Sequence, residues 1–270
     1  MTSSEIEQLR VAATNIARDA GDLIMGFTQG ERSIVYKGER DMVTQVDAAA
    51  EELIIKAINK QFPDHSILAE EGGDIGASDF EYRWIIDPLD GTTNFVHGFP
   101  VFGVSIGVEY AGEMVAGAIY DPNQQEMFSA GAGLGATMND KPIHVSKTED
   151  MGKSLIATGF PYTNNAHFEL NMKLWQEIYG QTQGLRRAGA AAIDLAYVAC
   201  GRLDAYWEFC IKPWDMAAGL LIAREAGGVV SDPYGEPLKF SEGHILAANP
   251  KLYPHLLELI SQFDLPRKSD

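Results

Sequence analysis

The chain has 270 residues, and its 38 Asp and Glu against 21 Lys and Arg leave a formal net charge of −17. Such a balance disfavours nucleic-acid phosphates, which want clustered Lys and Arg, and equally an anionic membrane surface. With 46% hydrophobic and 10% aromatic residues the composition is that of a folded chain, long enough to bury ~75% of its unfolded surface without staples.

The chain opens on a helix. Ser3 or Ser4 can cap it, and Ile6, Leu9, Ala13, Ile16, Ala17, Ala20 and Leu23 recur at helical spacing. The first ten residues carry two acids before their first base and no apolar core, unlike a secretory leader. A short strand is expected at 33–36, before the polar turn Lys37-Gly38-Glu39-Arg40-Asp41. A second helix should run from Thr44 to about Gln61, with Leu53, Ile54, Ala57 and Ile58 on its apolar face and Pro63 as its stop. Short apolar runs bounded by turn residues follow at 66–69, 84–86, 101–108, 114–120 and 125–129. Two of them flank Ala111-Gly112-Glu113 and read as a hairpin. Beyond these the pattern predicts a strand at 155–158, helices at 167–179 and 190–200, and a strand at 204–209. A helix at 215–225, strands at 228–231 and 245–248, and a helix from Pro250 close the chain.

No apolar run approaches the ~20 residues that a membrane span needs. Cys200 and Cys210 have no CxxC spacing and make neither a disulfide framework nor a zinc site. A soluble protein of a reducing compartment, in the cytoplasm, is the expectation. Helix pairs around sheets indicate a layered α+β or α/β class, and the hairpin-rich middle brings antiparallel strands. One unit spanning 1–270 is expected, with sub-domains at 1–145 and 146–270.

The most informative stretch is Asp87-Pro88-Leu89-Asp90-Gly91-Thr92-Thr93-Asn94. An apolar strand ends in one carboxylate, a turn delivers a second three residues on, and Gly-Thr-Thr can open a helix. Carboxylates converging at a strand end suit a hard cation, and the N–H groups of Gly91 and Thr92 suit a phosphate. The ordinary alternative is a turn with Asp90-Gly91 at its tip and Thr92 as a cap. Two further segments also place acids where an apolar element ends: Ala69-Glu70-Glu71-Gly72 after a strand, and Pro213-Trp214-Asp215 at the start of an Ala-rich helix. A solvated strand end and an N-cap Asp are their plain readings. Asp47 fits a capping box begun by Thr44, and Glu208 is either a surface charge or a partner for a polar ligand.

Two resemblances fail on inspection. Gly131-Ala132-Gly133-Leu134-Gly135-Ala136 has the spacing of a dinucleotide fingerprint but leads into Thr137-Met138-Asn139-Asp140-Lys141-Pro142, which breaks a helix rather than opening one. An aspartyl-nucleophile phosphatase wants one residue between its two acids, and here two separate Asp87 from Asp90.

Taken together, Glu70-Glu71, the Asp87–Asn94 motif and Trp214-Asp215-Met216-Ala217-Ala218-Gly219 resemble the signature of the inositol monophosphatase family. The resemblance covers nearly the whole chain, from the first helix pair to Ala247-Ala248-Asn249. It implies an α+β fold, the layered αβαβα sandwich, and a Mg2+-dependent, lithium-sensitive phosphomonoesterase acting on myo-inositol monophosphate as a homodimer. Fructose-1,6-bisphosphatases, histidinol phosphatases and adenosine bisphosphate phosphatases share the superfamily, so substrate alternatives stay open. So does a metal-loaded regulatory protein without turnover.

By this resemblance two or three Mg2+ ions per subunit are held: one by Glu70, Asp87 and the Leu89 carbonyl, a second among Asp87, Asp90 and Asp215, a third near Glu70. Activated water near Glu70, positioned by Thr92 and Asp47, attacks phosphorus, while the N–H groups of Gly91 and Thr92 hold phosphate oxygens. Inositol hydroxyls are expected at Asp90, at Gly189, Ala190 and Ala191, and at Glu208. Lys37 is a candidate for a flap near the third ion.

Overall fold

The computed structural model describes residues 1–27, 34–36, 42–76, 80–161 and 165–263; the turn carrying Lys37 lies outside them. Helix α1 (Ser3–Gly26) is capped by Thr2 rather than by Ser3 or Ser4. Thr2 Oγ1 accepts the Glu5 N–H and the Glu5 carboxylate accepts the Thr2 N–H, whereas Glu7, which a Ser4 box would need, is engaged by Arg10. Then come β1 (Ile34–Tyr36), β2 (Met42–Thr44), α2 (Gln45–Gln61), β3 (Ser66–Ala69), β4 (Gly73–Ile75), β5 (Tyr82–Asp90) and α3 (Thr92–His97). Strands β6 (Gly103–Tyr110), β7 (Glu113–Asp121), β8 (Glu126–Gly131), β9 (Gly135–Met138) and β10 (Lys141–Pro142) follow. The second half holds β11 (Leu155–Thr158), α4 (Ala166–Gln181), β12 (Gly184–Arg186), α5 (Ala191–Ala199), β13 (Ala205–Phe209) and α6 (Pro213–Glu225). It ends with β14 (Val229–Ser231), β15 (His244–Ala248) and α7 (Tyr253–Ser261).

The differences from the sequence expectation have local causes. Strands β4, β9, β10 and β12 are two to four residues long and carry Gly or Pro, so they show no alternation to read. Helix α7 starts at Tyr253 rather than Pro250, because Asn249 Oδ1 accepts the N–H groups of Lys251 and Leu252 and turns the chain first. Helix α6 starts at Pro213, a residue pre-set for the first helical position, so Asp215 sits inside the first turn and not at the cap.

Eight strands form one sheet in the order β10-β9-β8-β7-β6-β5-β3-β4, antiparallel except for the β3–β5 pair. The hairpin expected around Ala111-Gly112 joins β6 to β7, with both turn residues at positive φ. Five strands form a second sheet, β12-β11-β13-β15-β14, in which β11 runs parallel to β12 and β13. Helices α1 and α2 cover one face of the large sheet, α5 and α6 lie between the sheets, and α4 and α7 pack on the outer face of the second. This is the layered αβαβα sandwich. Period-two alternation distributes each strand between layers: Trp84 and Ile86 face α1 and α2, while Ile85 faces the central layer. On β13, Ala205, Trp207 and Phe209 point outward and Tyr206 inward, so Glu208 belongs to the inward set. Paired Gly107 and Gly117 let α6 lie close on the large sheet, since a Cβ at either would press on Ala217 or Ala218. That approach brings the first turn of α6 to the sheet end where β5 finishes.

Candidate functional site

Strand β5 is a central strand whose register with β6 shifts between Asp87 and Asp90, where Pro88 has no N–H to offer the ladder. The irregularity turns both carboxylates to one side of the sheet end. Asp87 Oδ1 accepts the Leu89 N–H at 2.9 Å. Asp90 accepts the N–H groups of Ala191 at 3.2 Å and Ala192 at 2.7 Å, which fastens it to the first turn of α5. Glu70 leaves β3 beside β5, its N–H bonded to the Ile86 carbonyl. The following Glu71 N–H is held by the buried Glu51 carboxylate of α2 at 2.9 Å. Ser105 on β6 donates to the Trp214 carbonyl at 3.1 Å and so ties the sheet to the residue before Asp215. Asp215 in turn accepts the Lys212 N–H at 3.1 Å.

The result is a group of three acids, Asp87, Asp90 and Asp215, that bring carboxylate oxygens within 4.8 Å of one another. Burial drives the Asp87 carboxyl well above the usual range, and the charges of Glu70, Asp90 and Asp215 add to it. Asp215 is raised by burial and by the charges of Asp90, Glu70 and Glu208, and burial pushes Asp90 up to about 6 against the pull of its backbone donors. Crowded buried carboxylates ionise together only when a cation compensates them. Oxygen donors of this hardness and charge fit a divalent cation such as Mg2+.

Beside the acids, Thr92 Oγ1 lies 2.9 Å from Asp47 Oδ1 and 3.1 Å from the Leu89 carbonyl. Both partners only accept, so the hydroxyl proton goes to one of them and the oxygen keeps lone pairs for another donor. Asp47 is buried at the start of α2. Gly91, the N-cap of α3, has a φ of 90°, and a Cβ there would come 2.9 Å from the Val101 carbonyl, so glycine is required. A cavity of about 330 Å3 opens over these groups. Glu70, Asp87, Leu89, Asp90, Gly91 and Thr92 line its floor side, and Gly189, Ala190, Ala191, Glu208 and Asp215 contribute from the second half of the chain. Asp47 stands behind the lining, hydrogen-bonded to the Thr92 hydroxyl that faces the cavity. The Ala191 N–H is taken up by Asp90, so that backbone donor serves the acid.

Sequence reasoning missed four neighbours. Asp194, a lone acid in the apolar run of α5, is buried in the cavity wall, where burial and the charges of Asp90 and Glu208 hold its carboxyl well above the usual range. Its signal was an acid out of keeping with its surroundings. Tyr206 hydrogen-bonds Glu208, whose carboxyl burial pushes up to about 7. Arg187 lines the cavity and its charge opposes the rise of Glu208 and Asp90. Asn94 donates to the carbonyls of Val101 at 2.6 Å and Ala188 at 2.8 Å, pinning the chain before Gly189 to α3. The glycine-rich run 131–136 is the β8–β9 turn; the N–H groups of Gly133 and Gly135 hold the Glu225 carboxylate at 2.9 and 2.8 Å, and no helix follows.

The sequence profile of the inositol monophosphatase family matches residues 5–264. The chain belongs to that family. Among curated relatives, a Nus factor SuhB of Pseudomonas aeruginosa is 46% identical over 256 residues, covering 92% of this chain and 94% of that protein. An inositol-1-monophosphatase of Synechocystis sp. is 46% identical over 259 residues, covering 96% of this chain and 90% of that protein. Among solved structures, the extragenic suppressor protein suhB of Bartonella henselae superposes with a TM-score of 0.90 at 38% identity, over 95% of this chain and all of that one. Membership of the inositol monophosphatase family assigns the chain a phosphatase fold and an acidic site suited to a metal. No helix among the described residues is long and apolar enough to cross a membrane.

Proposed function

We propose that the chain is a Mg2+-dependent phosphomonoesterase that hydrolyses myo-inositol monophosphate to inositol and phosphate. The observation that carries this reading is the meeting of Asp87, Asp90 and Asp215 beside the Thr92–Asp47 pair. Glu70, Asp87, the Leu89 carbonyl, Asp90 and Asp215 would hold two or three cations. When bound, the cations supply Lewis-acid polarisation of the phosphate and lower the pKa of a coordinated water.

The remaining steps fall to the chain itself. Thr92 donates its proton to Asp47, and its free lone pair accepts an O–H of the attacking water, which aims the water's oxygen at phosphorus. Glu70, which also lines the cavity, takes the other proton and returns it through solvent to the inositol oxygen as the ester O–P bond breaks. The N–H groups of Gly91 and Thr92, at the start of α3, hold phosphate oxygens as charge grows on them. Glu208 accepts hydroxyls of the departing inositol, with Asp90 and the Gly189–Ala190 backbone beside it. Residues 1–145 thus supply most of the metal and phosphate contacts and 146–270 the substrate side and Asp215. Inhibition by Li+ and a homodimer belong to the same reading, which the family membership supports. A cytoplasmic location also belongs here, supported by the free thiols of Cys200 and Cys210.

Phosphate release with and without Mg2+ from myo-inositol 1-phosphate, fructose 1,6-bisphosphate, histidinol phosphate and adenosine 3′,5′-bisphosphate tests the reading. The inositol ester is expected to be the best substrate; if it is the poorest, the specificity belongs to another ester of the superfamily. A Nus-factor role is the second reading, favoured by relatives of that name in Pseudomonas aeruginosa and, at 40% identity, Escherichia coli. If that role is separate from turnover, an Asp87→Asn chain will still complement the loss of such a relative.

A further inference from the structure

Strand alternation turns Glu208 inward, and the residue against its carboxylate has no side chain. Gly159 follows β11, whose Thr158 pairs with Trp207 on β13. A Cβ built at Gly159 would overlap the carboxylate carbon and both oxygens of Glu208. Hydrogen bonds to its carbonyl hold the backbone there. The Gly159 carbonyl accepts the Nδ2 of fully buried Asn171 at 2.6 Å, and Asn171 Oδ1 accepts the Trp207 Nε1–H at 2.5 Å. Next in the chain, half-buried Phe160 lines the same cavity, backed by Phe168 at 5.8 Å and Trp175 at 5.9 Å between ring centroids. One wall therefore offers a carboxylate acceptor and, beside it, a phenyl face. A carboxylate takes two adjacent hydroxyls, and an apolar face takes C–H groups. A ring-shaped polyol presents both; a simple alkyl ester lacks the hydroxyls, and an open-chain polyol lacks a fixed C–H face.

We propose that Gly159 and Phe160 are specificity-determining residues: Gly159 leaves the space in which the Glu208 carboxylate meets ring hydroxyls, and Phe160 seats the ring's C–H face. This rests on the phosphatase reading above. In a Gly159→Ala chain the displaced atoms are the far end of a flexible side chain, so Glu208 swings out and the fold persists, which thermal melting verifies. The ratio of kcat/KM for myo-inositol 1-phosphate to that for ethyl phosphate should fall at least about tenfold, mainly through KM. Glu208→Gln should lower the same ratio, and the double variant should go no lower than Glu208→Gln alone. Phe160→Ala should lower the ratio of myo-inositol 1-phosphate to open-chain glycerol 2-phosphate by about tenfold. Equal slowing of all esters, additive losses in the double variant, or an unchanged ring-to-chain ratio in Phe160→Ala would overturn the inference while leaving the phosphatase reading intact. A wild-type chain that turns over no ester in Mg2+ overturns both.

Discussion

Buried aspartates occur in two settings in this molecule. Asp204, beside the second sheet, accepts the Ser146 hydroxyl at 2.5 Å and the Leu155 N–H at 2.7 Å, each oxygen with its own donor. Asp232, after β14, accepts the N–H groups of Tyr234 and Glu236 at 2.9 and 2.8 Å. At the end of β5, by contrast, Asp87 and Asp90 share their space with Asp215, and the surrounding acids push one another's carboxyls up. The first kind of burial is a structural hydrogen-bond device that holds loops to strands. The second is an arrangement that folding alone disfavours and that a cation relieves. Removing an acid therefore should do opposite things in the two places.

The largest expected effect follows from that contrast. Asp87→Asn should cut Mg2+-dependent phosphate release by about a thousandfold or more, the worth of several kcal/mol of charge stabilisation. In the same variant the metal-free chain should melt at a higher temperature, because a crowded charge has gone. Asp204→Ala should keep the turnover of its folded fraction and lose about 1–3 kcal/mol of stability, through buried donors left without an acceptor. Assay and melting curve on both variants would show whether the two classes are distinct; loss of stability in both and of activity in neither would erase the distinction.

Next in size is the Thr92–Asp47 pair. Thr92→Val removes the hydroxyl at nearly constant volume and should slow turnover by about 10^2 to 10^4 with little change in KM, while Thr92→Ser restores most of it. Steady-state kinetics on the two variants make the comparison.

The pH dependence sharpens the contrast further. An Asp held up to about 6 in the fold, against the 3.8 of an ordinary exposed carboxyl, binds protons that the unfolded chain has released. Metal-free stability should therefore fall as pH rises through that window. Added Mg2+ competes with those protons, so the increase in Tm that it causes should grow from about pH 5 to pH 8. A Mg2+ shift independent of pH would separate the cation from the acid cluster.

The smallest effect belongs to a buried base. His244, whose Nδ1 accepts the Cys210 N–H, is pushed down to about 4 by burial and by nearby His167. The unfolded chain then binds the extra proton between pH 6.5 and 4, so stability is lost as pH falls across that range. His244→Gln should flatten the acid limb of a plot of Tm against pH.

Much of this site was visible in the sequence because its acids stand where apolar periodicity stops. The run Trp84-Ile85-Ile86 into Asp87, and Ile67-Leu68-Ala69 into Glu70, mark where the apolar runs stop without reference to anything distant, although β5 itself continues to Asp90, and parallel pairing of β3 with β5 sets them side by side. A layered α+β or α/β class was legible from helix pairs flanking apolar runs, whereas the order of the layers followed from the family resemblance. What was hidden depends on contacts far apart in sequence. Asp90 is fastened to α5 a hundred residues on, and Asp194, within that helix, acquires its charge environment from Asp90 and Glu208. Gly159 carries no local signal at all; its importance comes from β13 lying alongside. Short strands such as β10 exist only as partners of a neighbour, so propensity and alternation miss them.

Whether the gathered acids hold a cation for phosphoester hydrolysis is decided by titrating Mg2+ into chelator-stripped protein while following phosphate release from myo-inositol 1-phosphate. No release is expected without the cation, with saturable recovery as it is added and no recovery in Asp87→Asn. Equal release in the presence of excess chelator would contradict that role.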